Sequence, residues 1–499
     1  MQANAFALLG PYESWMEETN DFRQPGDIGG PMDIGSGYRW NVPVVTYGFD
    51  KSFLDFFGTN GVAAVEGAIQ VLNDLPPASQ IVLTNYPLNS ASVNDQAQAG
   101  NLCDLKSATL VLLLEQMGLT QPTRYIFALR QWEPIFITDP SESDWYDGTN
   151  WLDGIIPNDI VQRNFDPETL SPSFYVNGTL FSGYVLSTYY GGQVNDVIAF
   201  PDDPVGENNI SVADYGFSFN FYDDGAFSPG TFFTGLTEDD VGGLRYLLST
   251  NNVAYETLLP NVCGTGTNAN SFVNGAWRPG VDKITFVPQP FNSAHCQFLP
   301  VTNQFTDTYI TNGNITQQQL QRVITQPDFI FCAGDVNYGA LGLPFVDRTG
   351  TTNWINNAAL NENPTNGGPG VIQPQIKIIF NKLGHGLHNL NDTSAQESSI
   401  YWSTFDGSTN PPIIYPISQT GTNQFTISMW FNMGNFPNQF QKGFDWSLTN
   451  SVGSVSLFQT STNLTDWVTD FSVTNDGTVW TFVNSNPSST YRFYRVIPQ

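Results

Sequence analysis

The sequence predicts a mainly β protein with an α+β N-terminal domain. Three observations carry that expectation. Charged residues make up only 13% of the chain, and its polarity rests on Asn, Thr, Ser and Gln, which suits strands and loops better than helix surfaces. Short runs such as FTISMWFN, SVSLFQTS and YRFYRVIP recur between turn residues towards the C-terminus. Helical periodicity is confined to a few segments of the N-terminal half. A chain of 499 residues also exceeds one ordinary core, so several domains are expected.

Residues 1–43 show neither periodicity, yet they carry Trp15, Met16, Phe22, Met32, Tyr38 and Trp40. A disordered tail would lack such side chains, so this extended aromatic arm needs a surface to lie on. That surface is either the chain's own body or a neighbouring copy. On the second reading, Trp15, Met16, Phe22, Tyr38 and Trp40 are interface residues. Residues 44–254 form the α+β domain. VPVVTYGFD is a strand, and GTNGVAAVEGAIQVLNDLP is a helix stopped by Pro76 and Pro77. SQIVLTNY reads as a strand. LCDLKSATLVLLLEQMGL is a helix apolar almost all round and therefore buried, with Gly118 past its end. LTEDDVGGLRYLLS is a third helix, capped by Thr237 with Glu238, Asp239 and Asp240 at its positive end.

A long loop-rich insertion, 130–230, interrupts this domain. It holds WEPIFITDPSESDWYDGTNWLDG, where Trp145, Tyr146 and Trp151 suit an interface, since Trp and Tyr dominate hot spots. Asp144, Asp147 and Asp153 beside them are the residues a glycosidase would use. Residues 255–410 read as a β-rich domain, with strands at VDKITFVP, DTYITNG, PDFIFCAGD and PQIKIIFNKL and a short polar helix at TQQQLQRVI. Residues 411–499 read as a C-terminal antiparallel β-sandwich.

A formal net charge of -29 excludes nucleic acid as a partner and favours solubility. Asp202, Asp203, Asp223 and Asp224 are candidate calcium ligands, and no other cofactor is implied. Cys103, Cys263, Cys296 and Cys332 include no CxxC spacing. Buried thiols or disulfides are both open, with Cys263–Cys296 the pair favoured. The histidines His295, His385 and His388 form no HExxH, and the GHGLH segment reads as a loop. G-x-S-x-G, P-loop and Rossmann signatures do not occur. No apolar run is long enough for a transmembrane helix. The start lacks a basic n-region, so the expected state is a mature secreted chain, extracellular or at the cell surface.

Two resemblances add to this. QTSTNLTDW and the closing YRFYRV resemble a terminal β-sandwich module of large secreted bacterial proteins. GPYESWM and DIGGPMDIGSGYRWNVPVVTYGFDKSF resemble uncharacterised secreted proteins of environmental bacteria. The order of the N-terminal strands and helices resembles a matrixin-like metzincin domain. In that resemblance the zinc positions fall on Val111, Glu115 and Gln121 and the general-base position on Leu112, a set unable to hold zinc. Together these readings imply an extracellular structural protein, a self-assembling subunit of a filament, sheath or surface layer. The alternatives are a secreted hydrolase, carbohydrate-active or metallopeptidase-like, and a glycan-binding protein.

Overall fold

The computed structural model describes residues 5–12, 16, 28–36, 38–137, 145–146, 151–190, 193–202, 229–292, 297–334, 346–349, 354–355, 370–382, 400–415, 423–431, 442–450, 455–461, 465–474, 480–484 and 493–498. Strands predominate over helices, as the composition implies. The chain divides into two units, one of residues 1–382 with 403–412 and one of 383–402 with 413–499.

The first unit is built on a five-stranded sheet ordered Thr285–Pro288, Val44–Phe49, Phe329–Gly334, Ile376–Asn381, Val346–Thr349. The first four strands run parallel and the last pairs antiparallel. VVTYGF, FIFCAG and IKIIFN are nearly continuous apolar runs, the pattern of strands covered on both faces. This sheet takes strands from both sides of position 254, so the division expected there falls inside one unit.

Helix α1 (Lys51–Asn73) follows the Val44–Phe49 strand and packs on the sheet. It starts a turn and more before the periodic segment because Asp50 caps it, accepting from Phe53 N at 2.9 Å. The extra turns bring Phe53 and Phe57 onto Phe49, Phe331 and Phe380, with ring centroids 4.7 to 6.4 Å apart. Gly58, at φ +60°, kinks the helix where the added turns join the expected ones. Helix α2 (Asp95–Ala99) is short and capped by Asn94. Helix α3 (Leu105–Gln116) is buried all round, as its composition requires, and Gly118 takes φ +104° beyond its end. Helix α4 (Glu238–Leu248) opens with a reciprocal capping box between Thr237 and Asp240.

Two expectations are corrected. SQIVLTNY forms two short 3-10 turns, Ala78–Gln80 and Leu83–Asn85, rather than a strand. TQQQLQRVI is not a helix but most of the strand Asn314–Ile324, the second arm of a hairpin with Val301–Thr311. The turn between the arms is Asn312-Gly313, with φ +49° and +76°, the twist a two-residue hairpin loop demands.

The aromatic arm is placed in the chain's own body. Phe6–Gly10 pairs with Gly30–Met32, Leu119–Thr120 and Asn164–Phe165. Met16, Tyr38 and Trp40 are buried there, and Trp40 Nε1 donates to Gln116 O at 2.9 Å. These three are therefore core residues rather than residues offered to a second copy, because the body itself desolvates them. Trp15 and Phe22 lie outside the described residues.

The second unit contains two three-stranded sheets. Asn423–Phe431 pairs antiparallel with Lys442–Asn450 but parallel with Trp480–Asn484, so the expected wholly antiparallel arrangement is corrected at that pair. Val455–Ser461 pairs antiparallel with Val468–Thr474 and Phe493–Pro498. Among the described residues no helix is long and apolar enough to cross a membrane.

Candidate interaction surface

A second five-stranded sheet of the first unit is antiparallel throughout, ordered Ala254–Thr257, Gly275–Arg278, Val301–Thr311, Asn314–Ile324, Val262–Gly264. Its two faces divide the charged residues against the usual pattern. The inward face carries the charges: Glu256, Arg278, Asp307 and Arg322 are all buried. The outward face carries none.

Buried charges persist only when paired and hydrogen-bonded. Arg278 donates through Nε and Nη2 to both Asp307 oxygens, at 2.9 and 3.1 Å. Its remaining donors reach the carbonyls of Glu256, Asn274 and Val273. Gln318, opposite Asp307 in the hairpin, donates to Asp307 Oδ2 at 2.7 Å. Arg39 Nε meets Glu256 Oε1 at 2.6 Å. Burial pushes the Glu256 carboxyl up, and Arg39 opposes that shift. Arg322 makes a two-point contact with Asp328, whose Oδ2 also accepts from Thr46 N at 2.8 Å. That chain of bonds ties the antiparallel sheet to the parallel one. The network fixes both strands of the hairpin from behind.

Residues opposite one another in an antiparallel pair share a face. On the outward face the hairpin therefore sets Gln304 beside Gln321, Thr306 beside Gln319, and Thr308 beside Gln317. Gln319 Nε2 donates to Thr306 Oγ1 at 2.9 Å, so one rung is held in place by its own side chains. Gln321 Nε2 lies 3.5 Å from Cys263 Sγ on the next strand. Beyond the polar rungs, Tyr255, Trp277, Ile310 and Ile315 line up across four strands. Trp277 is 46% exposed and Ile315 76%. The Tyr255 and Trp277 rings meet edge to face, centroids 5.9 Å apart. The result is a hydroxyl- and amide-lined face with an aromatic row at one end.

Asp239 and Asp240 are helix-start residues, and Asp239 also accepts from Ala5 N at 2.7 Å and Asn177 N at 2.6 Å. Cys263 is a free thiol, and Cys296, the partner expected for it, lies outside the described residues. Burial pushes the Cys103 and Cys332 thiols up to about 12. Asp203, Asp223, Asp224, Asp144, Asp147 and the three histidines lie outside the described residues, as do the side chains of Asp153, Asp202, Trp145, Tyr146 and Trp151. Among the described residues no group of three or more His, Cys, Asp or Glu is gathered for a metal. The outward face is hidden in the sequence because TQQQLQRVI reads as helical. The signal that reveals it is the Asn312-Gly313 pair between two runs alternating at period two.

Compared with protein families, with curated proteins and with solved structures, the chain matches none.

Proposed function

We propose that this chain is an extracellular structural component of a sheath, filament or surface layer, working by surface contact rather than by turnover. One observation carries the reading: a sheet face free of charge on a chain of net charge -29, held rigid by charges buried behind it. A surface that must meet solid neighbours gains from being neutral and preorganised. The metzincin-like reading of the N-terminal half adds to it. In α3, Val111 and Leu112 are fully buried and apolar where that resemblance puts a zinc ligand and a base, as in a scaffold kept after its chemistry was lost. Secretion and assembly in the extracellular layer are parts of the same proposal.

The test is partition of the purified chain with insoluble extracellular material from the producing cells. The wild-type chain is expected to sediment with that material. A Gln317→Glu, Gln319→Glu double variant, which makes the face anionic, is expected to stay in solution. Equal partition of the two would contradict the reading.

A further inference from the structure

We infer that the occupant of the outward face is a neutral, hydroxyl-rich polysaccharide. The inference rests on the surface-contact reading and names its partner. Charge decides first. Without Lys or Arg on the face, and with -29 on the chain, phosphate- or carboxylate-bearing polymers gain no attraction and meet repulsion. An uncharged polymer meets neither.

Hydrogen-bonding capacity decides next. Each Gln amide brings two donors and an acceptor, and each Thr hydroxyl can donate or accept. The rungs formed by Gln304, Thr306, Thr308, Gln317 and Gln319 present that capacity in a regular array. A sugar polymer offers hydroxyls of both kinds along its length, so few of these groups would be left unpaired on binding. A second copy of this face suits it less. Two sheets packed about 10 Å apart are held by interdigitated apolar side chains. Here the middle of the face is Gln and Thr, and its large apolar residues sit at the two ends, Trp277, Ile310 and Ile315 at one and Val323 at the other.

Trp277 supplies the anchor. The C–H face of a sugar ring is apolar and lies flat on an aromatic ring, while its equatorial hydroxyls point sideways toward the neighbouring rungs. Tyr255 props the indole from the side. The eleven-residue strands Val301–Thr311 and Asn314–Ile324 extend the face over about 35 Å, which suits a polymer better than a single sugar. The buried Arg278–Asp307–Gln318 network holds the strands in register, so little ordering is left for the binding step.

The experiment is a depletion isotherm of the full chain on insoluble cellulose, chitin and β-1,3-glucan, with alginate gel as the acidic counterpart. Binding is expected to at least one neutral polymer, with alginate at least ten-fold weaker. Trp277→Ala is expected to lose about ten-fold in affinity, Gln319→Ala several-fold, and Leu54→Ala, exposed on α1, nothing. Thermal melting confirms that each variant is folded. Should Trp277→Ala fail to fold, Gln319→Ala and Trp277→Phe, which keeps an aromatic face, carry the comparison. Retention by none of the neutral polymers, equal retention by alginate, or unchanged affinity in the face variants would overturn the inference. So would face variants that reduce self-association in light scattering while leaving polymer binding intact, since the occupant would then be a second copy. Those results would leave the partition of the chain with extracellular material to judge the broader reading by itself.

Discussion

Arg39 Nε and Glu256 Oε1 lie 2.6 Å apart, and both side chains are buried. The pair joins the N-terminal segment to the inner face of the antiparallel sheet, and Arg39 adds bonds to the carbonyls of Asn252 and Arg278. Breaking a buried pair by removing one partner strands the other charge, which costs roughly 3–5 kcal/mol. Glu256→Gln is therefore expected to lower unfolding free energy by about that amount in urea melts. A loss below about 1 kcal/mol would show that Arg39 has another way to be satisfied.

Asp104 caps α3 from a fully buried position, accepting from Ser107 N and Oγ, and from Phe405 N at 3.4 Å on the returning 403–412 segment. Burial raises its carboxyl to about 6, against the opposing pull of those hydrogen bonds and of Lys106. The folded chain thus holds a proton that the unfolded chain releases near 3.8. The stability this proton gives is present at low pH and is lost as pH rises through about 6. Between those limits the change is on the order of 2–3 kcal/mol. Asp104→Asn keeps an acceptor at the cap and is expected to abolish this group's contribution to the pH dependence of melting over pH 4 to 7 (roughly the interval between the two values). An unchanged slope would place the titration elsewhere.

Phe53 sits among Phe49, Phe57, Phe331 and Phe380 and is fully buried. Phe53→Ala removes the ring from the junction of α1 with the parallel sheet. The expected loss is about 3–5 kcal/mol, measured by chemical denaturation. Binding through the outward face, on the other sheet, should survive wherever the variant is folded.

Gly313 occupies φ +76° at the hairpin turn, at the end of the outward face next to Ile310 and Ile315. Gly313→Val is expected to destabilise the chain by more than about 1 kcal/mol, since a β-branched residue resists that conformation. Gln317→Lys, exposed on the strand two residues from Ile315, should change stability by less than about 0.5 kcal/mol. A reversal of that order would mean that the hairpin is held by its surface rather than by its turn and buried network.

Helices were the most legible part of the sequence. Their caps are local: Thr237 with Asp240, and Gly118 beyond α3, can be read without knowing the fold. The start of α1 at Lys51 was harder, because Phe53 and Phe57 earn their place only against Phe331 and Phe380, far away in the chain. The parallel sheet was legible as apolar runs, but not its order, which joins residues 44–49 to 285–288 and 329–334. The interaction surface was hidden for a related reason. Gln, Leu and Arg favour helices, so TQQQLQRVI reads as helical until its pairing with Val301–Thr311 overrides propensity. The burial of Asp307 and Arg322 disguised the face further, since charges in a strand are ordinarily read as pointing outward.

The most direct test of the central claim is hydroxyl-radical footprinting of the full chain, free and mixed with insoluble extracellular material. Trp277 and Ile315 are exposed in the free chain and should be shielded from oxidation in the mixture, while Leu54 on α1 stays reactive. Unchanged oxidation of Trp277 and Ile315 in the sedimented chain would contradict the account, because contact would then run through some other surface.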